Sequence, residues 1–247
     1  MNLLELVPHS LEELITQAKE LIQTIPELNG INIPDVLRLP IRSHDAAHAL
    51  LKEGILAIPH IRCIDHTLEE SVALIHSLIQ TGLKAVLIVS GDKPLSPEAQ
   101  TFDISPVLLI KTLKKTFPTL KVYAALDPYR QSFKQELAYC HAKILAGADG
   151  FFTQPFFDVS LATLFLDQLT QTEIFLGMSP VMSDKSLNYW KTKNMAIFPP
   201  QFQLDLDWNC QLGARLVQVA KSRGLSTYLM PITVSALAYA KGVFHRP

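Results

Sequence analysis

Ala85-Val86-Leu87-Ile88-Val89 is an unbroken apolar run that follows Lys84 and ends on Ser90-Gly91-Asp92. A strand with one face in water alternates apolar and polar residues, whereas a parallel strand covered on both faces is apolar throughout. The run therefore reads as a buried parallel strand, which needs a crossover connection to its neighbour, usually a helix. The preceding segment supplies one, because in Leu68–Leu83 the apolar residues Val72, Ile75, Leu78 and Ile79 recur at helical spacing. Thr67 stands at its N-cap, and Glu69 and Glu70 place acids where they complement the helix dipole.

The same alternation extends in both directions. Candidate strands are Leu3–Val7, Gly30–Ile33, Leu56–Ile61, Ala85–Val89, Lys121–Ala125, Gly150–Thr153, Ile174–Met178 and Thr227–Met230, each followed by a helical pattern. Ser10 and Ser43 supply further N-cap hydroxyls, and Gly54, Gly82, Gly147 and Gly224 fall just past helix ends, where a left-handed cap favours glycine. Eight units in 247 residues give about 31 residues each, the size of one repeat of a (β/α)₈ TIM barrel. No linker divides the chain, so the expected fold is α/β, a single barrel domain over residues 1–247. The second unit is the shortest, since Gly30-Ile31-Asn32-Ile33 runs straight into Pro34.

Composition excludes several classes of function. Hydrophobic residues make up 48% and charged residues 18%, which is too apolar for a disordered chain. A formal net charge of −1 offers no electrostatic footprint for nucleic acid or an anionic membrane. The longest charge-free stretch, Gly224–Ala240, is short of the ~20 residues of a membrane span and is interrupted by Pro231. Met1-Asn2-Leu3-Leu4-Glu5-Leu6 lacks the basic start of a secretory signal, and Cys63, Cys140 and Cys210 are odd in number and widely spaced. The expected setting is cytoplasmic, with reduced thiols.

In such a barrel the chemistry gathers where the strands end. Glu5 stands inside a leucine-rich strand; a buried carboxylate there has a raised pKa and suits a general acid, while the alternative is an outward carboxylate paired with a helix. Gly91-Asp92 offers close backbone approach and an acceptor for a donor-rich ring, or simply a turn. Gln154 follows Gly150-Phe151-Phe152-Thr153 beside Phe156 and Phe157, and reads either as a ligand-binding amide or as a satisfied one among core aromatics. His44-Asp45-Ala46-Ala47-His48 has the histidine spacing of a helical zinc site but no glutamate base and no evident third ligand. His60, Cys63, Asp65 and His66 are equally weak as a ligand set, and no metal is assigned. Neither a dinucleotide-binding glycine fingerprint nor a Gly-x-Ser-x-Gly elbow occurs.

Pro59-His60-Ile61-Arg62-Cys63-Ile64-Asp65-His66-Thr67, Gly91-Asp92-Lys93-Pro94, Lys143, and Ala146-Gly147-Ala148-Asp149-Gly150-Phe151-Phe152-Thr153-Gln154-Pro155-Phe156-Phe157-Asp158 form a collinear series. With Gly177-Met178-Ser179-Pro180-Val181, this series resembles the methylenetetrahydrofolate reductase family. The resemblance implies a flavin-containing (β/α)₈ barrel in which NADH or NADPH passes hydride to FAD. The flavin then reduces 5,10-methylenetetrahydrofolate to the 5-methyl form. It further implies catalytic roles for Glu5 as the acid that opens the methylene bridge, for Asp92 at the pterin and for Gln154 at folate or nicotinamide. His60, Gly91, Asp92 and Lys143 fall at cofactor-contacting positions, and Asp92, Gln154 and Phe156 at substrate-binding ones. The implied partner is a tetrahydrofolate derivative, with a homo-oligomer of the chain left open.

The series also departs from the family. Ser90 stands where the family has arginine before Gly-Asp, and Leu126-Asp127-Pro128-Tyr129-Arg130 replaces a Tyr-Pro-Glu-x-His segment. Glu136, Tyr139 and Ala142 replace flavin-holding residues, Val234 replaces an arginine near the last strand, and Pro34-Asp35-Val36 replaces a Thr-Tyr-Gly motif. Three readings follow: a reductase using FAD, a flavin-free reductase of the same superfamily, and a non-catalytic folate-binding barrel. Retention of Glu5, Asp92 and Gln154 together argues against the last.

Overall fold

The computed structural model describes residues 1–92, 100–169 and 172–245. Its strands are β1 (Asn2–Glu5), β2 (Gly30–Ile33), β3 (Ala57–Arg62), β4 (Ala85–Val89), β5 (Lys121–Leu126), β6 (Gly150–Thr153), β7 (Glu173–Met178) and β8 (Ser226–Leu229). Each pairs in parallel with its sequence neighbours, and β8 pairs with β1, closing a (β/α)₈ barrel. The helices are α1 (Leu11–Thr24), α2 (Ser43–Lys52), α3 (Leu68–Gln80), α4 (Pro106–Thr116), α5 (Phe133–Leu145), α6 (Val159–Leu166), α7 (Asp184–Lys193), α8 (Leu206–Ser222) and α9 (Ala236–Phe244).

Period-two alternation assigns the apolar residues to two cores. Leu3, Ile58, Leu87, Tyr123, Phe152, Phe175, Tyr228 and Met230 point into the barrel. Leu4, Ile31, Ile61, Val86, Ile88, Val122, Phe151 and Leu176 face the helices, which explains why the strands are apolar without interruption. Phe152 and Phe175 stack with centroids 4.1 Å apart, and Tyr123 and Tyr228 meet Phe152 edge-on, so the barrel interior is filled with rings. At its N-terminal end Asp149 accepts from the Val122 amide and Lys114 Nζ, which holds β5 and β6 in register.

The cap signals hold for Ser10, whose hydroxyl accepts from the Glu13 amide, and for Thr67, which forms a full capping box with Glu70. Ser43 differs from expectation. Arg42 is the N-cap of α2, and Ser43 is buried, donating its hydroxyl to the His60 carbonyl at 2.5 Å. Between β7 and β8 the chain forms α7 and α8 rather than one helix. The first strand ends at Glu5 and the third at Arg62, so these two polar side chains stand at the mouth of the barrel.

Candidate active site at the barrel mouth

Leu3 points inward, so Glu5, two residues on, does too; its Cα pairs with Asn32 of β2. Across the β1–β8 seam Tyr228 donates its hydroxyl hydrogen to Glu5 Oε2. Burial pushes the Glu5 carboxyl from 4.5 up to about 7, against the opposing pull of the Tyr228 hydrogen bond. Tyr228 itself is held well above its ordinary value by burial and by the neighbouring carboxylate, so it stays a donor. The result is a carboxyl able to hold or release a proton near neutrality.

Asn32 and His60 continue this inward row. His60 Nε2 lies 2.5 Å from Asn32 Oδ1, and burial lowers the imidazole to about 4, so the ring is neutral and donates through Nε2. Asn32 is fully buried, and its Nδ2 has no hydrogen-bond partner among the described residues. A buried donor without an acceptor is costly, and here it belongs to the residue paired with Glu5 across the β1–β2 ladder. Asn32 and Tyr228 were not singled out in the sequence; the signal was present as an amide and a phenol at inward positions of otherwise apolar strands.

Beside Glu5 a cavity of about 780 Å³ opens between β1, α1 and the loop after β8, lined by His9, Glu20, Arg38, Thr233 and Val234 among others. On the opposite flank, charged pairs tie the loops after β2, β3 and β4 together. Arg42 makes a bidentate pair with Asp35 at 2.8 and 2.6 Å and one further bond to Asp65, which also accepts from Arg62 Nε at 2.9 Å. Arg62 reaches on to the Asp92 carbonyl. Gly91 has φ +88, and a Cβ there would come within 3.1 Å of the Arg62 guanidinium carbon. The close backbone approach that this glycine permits is thus taken by Arg62.

Gln154 stands past the end of β6, across the barrel from Glu5; its backbone N–H donates to the Leu126 carbonyl and the residue is half-buried. Asp92 is exposed beyond β4, and the following residues of the Gly91-Asp92-Lys93-Pro94 series lie outside the described residues. Glu5, His60 and Asn32 form a contiguous group, while Asp92 and Gln154 join it only as members of the same rim. Phe156 corrects the sequence expectation. It is buried between sheet and helices against Phe165 and Tyr129, so its ring does not line the mouth.

Lys143 of α5 is also placed differently from a cofactor contact. It is 2% exposed, donates from Nζ to the Ala125 carbonyl at 2.6 Å, and lies 3.8 Å from the centroid of the Tyr139 ring. Burial lowers its ammonium to about 8. Tyr139 packs between this lysine and β4, with its hydroxyl paired to Ser90 and Arg130 5.4 Å over its ring. Glu136 is fully buried, accepting from the Asp127 amide and from Gln131. His44 and His66 face each other with centroids 6.4 Å apart, and among the described residues no group of three or more His, Cys, Asp or Glu side chains is arranged to hold a metal ion. No described helix is long and apolar enough to cross a membrane.

A parallel barrel with a protonatable carboxyl, a neutral histidine and an unpaired amide at the C-terminal ends of its strands is a TIM barrel with polar groups gathered at the face where barrels of this fold build their active sites. The chain belongs to the methylenetetrahydrofolate reductase family, whose model matches residues 38–210. It is 29% identical over 160 residues to 5,10-methylenetetrahydrofolate reductase of Pectobacterium carotovorum subsp. carotovorum, covering 60% of this chain and 53% of that protein. To the protein of the same name from Escherichia coli K12 it is 29% identical over 153 residues, covering 57% and 51%. The chain thus aligns with about half the length of these curated relatives. His60, Gly91, Asp92, Lys143 and Gln154 fall inside the family match; Glu5, Asn32 and Tyr228 fall outside it. Among solved structures it resembles oxaloacetate acetylhydrolase (TM-score 0.60, 12% identity, 97% of this chain and 78% of that one). It also resembles orotidine 5'-phosphate decarboxylase of Pyrococcus horikoshii OT3 (TM-score 0.58, 12% identity, 98% and 99%). At that identity the likeness concerns the fold alone.

Proposed function

We propose that this chain is an oxidoreductase that reduces 5,10-methylenetetrahydrofolate to 5-methyltetrahydrofolate at the expense of NADH or NADPH. Family membership supports the reaction, and the observation that carries it is the Glu5–Tyr228 pair. Opening the methylene bridge requires a proton at a weakly basic ring nitrogen, and a carboxyl titrating at about 7 is matched to that task. Glu5 gives its proton to N10 as the carbon–nitrogen bond breaks, and Tyr228 stabilises the carboxylate left behind. Asp92 accepts from the donor-rich edge of the pterin and Gln154 offers a donor and an acceptor from the other side of the mouth. The unpaired Asn32 Nδ2 adds a donor for a carbonyl of the bound substrate.

FAD is the cofactor the family resemblance brings with it, and the residues here do not fit it in the family's manner. Of the expected contacts, Lys143 is committed to Ala125 and Tyr139, the surface of Gly91 is covered by Arg62, and Ser90 supplies no cation. His60 stands on the inner wall beside Asn32, and Asp92 is exposed beyond β4. No step of the reaction is therefore assigned to a flavin. The proposed setting is the cytoplasm, in keeping with free thiols at Cys63, Cys140 and Cys210.

The test is direct. Purified protein is incubated with NADH or NADPH and 5,10-methylenetetrahydrofolate, and the folate products are separated and identified by mass. Accumulation of 5-methyltetrahydrofolate with matching loss of reduced nicotinamide is expected; nicotinamide oxidation without the methyl product contradicts the assignment.

A further inference from the structure

We infer that this barrel has replaced a flavin by its own side chains and passes hydride straight from a reduced nicotinamide to the folate, a reading that rests on the reductase activity proposed above. The replacement is visible on two adjoining strands. On the β4 side, Tyr139 stands between Ser90 and Lys143, its hydroxyl on the first and its ring over the ammonium of the second. A dinucleotide diphosphate placed there would need cations facing outward. Instead Lys143 points inward to the Ala125 carbonyl, and Arg130 is drawn over the opposite part of the Tyr139 ring and toward Glu136 at 3.6 Å.

On the β3 side, Arg62 crosses to β4, donates to the Asp92 carbonyl and packs on Gly91. It is fixed from behind by Asp65, which also accepts from Arg42, itself paired with Asp35. The groups that would cradle a flat ring system at Gly91 are therefore paired with each other. A self-satisfied network of this kind has to be taken apart before a ligand enters, and each broken charge-assisted hydrogen bond weakens binding by about tenfold. What stays unpaired is deeper in the mouth: the Asn32 amide donor, with Glu5 beside it.

With no flavin between them, the two substrates must meet at the barrel mouth within reach of Glu5, which lines the cavity there. The C4–H bond of the dihydronicotinamide breaks and its hydrogen and electron pair form a new C–H bond on the methylene carbon. The carbon–N10 bond breaks with its electrons remaining on nitrogen, which takes the proton of Glu5. The products are the 5-methyl folate, the oxidised nicotinamide and a Glu5 carboxylate that water reprotonates.

Two measurements test this on the intact chain. In the first, FAD is titrated into the protein and flavin fluorescence and absorbance are followed. No binding is expected for the unaltered chain, and a gain of about tenfold or more in affinity when Tyr139→Ala is combined with Ser90→Arg. Stoichiometric FAD binding by the unaltered chain overturns the inference. In the second, which needs no variant, nicotinamide deuterated at the transferred C4 position is used in ordinary water. Full retention of deuterium in the product methyl group is expected, because carbon-bound hydride does not exchange. Loss of the label to solvent, as from an exchangeable flavin N–H, overturns it. Absence of any methylated folate removes the reductase reading itself, whereas the FAD titration still decides whether flavin is excluded.

Discussion

Tyr228, the third residue of the last strand, donates a hydrogen bond to Glu5, the last residue of the first, across the seam that closes the barrel. The seam thus carries both the closure of the fold and the proton donor of the proposed reaction. Burial holds the Glu5 proton on, and Tyr228 makes its release less costly. Tyr228→Phe removes only the second effect. The pKa governing the reaction is expected to rise above 7 by roughly one unit, the worth of one hydrogen bond to a charged group. A pH–rate profile of the variant checks this, and an unchanged profile would detach Tyr228 from Glu5.

Stability should carry the same signature. The folded-state pKa of Glu5 is raised from 4.5 to about 7, so the unfolded chain releases this proton first as pH rises. Glu5 therefore weakens the fold progressively from pH 4.5 to 7, and by a constant amount above that. Glu5→Gln, which retains an acceptor for Tyr228, is expected to gain in denaturation midpoint over the unaltered chain as pH is raised through this window. A midpoint difference that is flat with pH, or of opposite slope, would contradict the burial of Glu5.

His60 has the opposite dependence. Its folded pKa lies near 4, below the ordinary 6.5, so the unfolded chain takes up the proton first as pH falls. The neutral ring contributes stability that is present above pH 6.5 and lost between 6.5 and 4. His60→Gln, which cannot titrate, should flatten this acid limb in urea unfolding followed by circular dichroism.

The ring stack inside the barrel sets a purely structural prediction. Phe152 and Phe175 are both buried and stacked at 4.1 Å. Phe152→Ala leaves a cavity among rings that cannot collapse around a closed sheet, and the cost expected from chemical denaturation is about 3–5 kcal/mol.

Much of this architecture could be read from the chain because burial imposes a simple pattern. Ala85–Val89 is legible to the residue, since a parallel strand covered on both faces has no polar position to blur its ends. β3 runs one residue past the expected Ile61 because Arg62 is polar and yet points inward, and β1 stops at Glu5, two residues short of Val7, because the apolar Leu6-Val7 carries the pattern beyond the paired residues. Ser43 looked like an N-cap by residue type, but its hydroxyl found the His60 carbonyl, a partner 17 residues away. Phe156 lies two residues past Gln154 in sequence, and its ring packs against Phe165 of α6 instead of the mouth. The pairings of Asn32 with His60 and of Tyr228 with Glu5 join different strands, so only the closed barrel shows what the amide and the phenol meet, whereas the Tyr139–Lys143 contact is a local pair four residues apart on α5.

The role of Glu5 as proton donor is tested most directly by single-turnover reduction of 5,10-methylenetetrahydrofolate across pH 5–9 with the unaltered chain and with Glu5→Gln. The unaltered chain should lose rate as pH rises through about 7, following the protonated carboxyl, and the variant should be slower by about 10²–10⁴-fold with no such step. A variant that reduces the folate at the unaltered rate, with the same dependence on pH, would contradict the account.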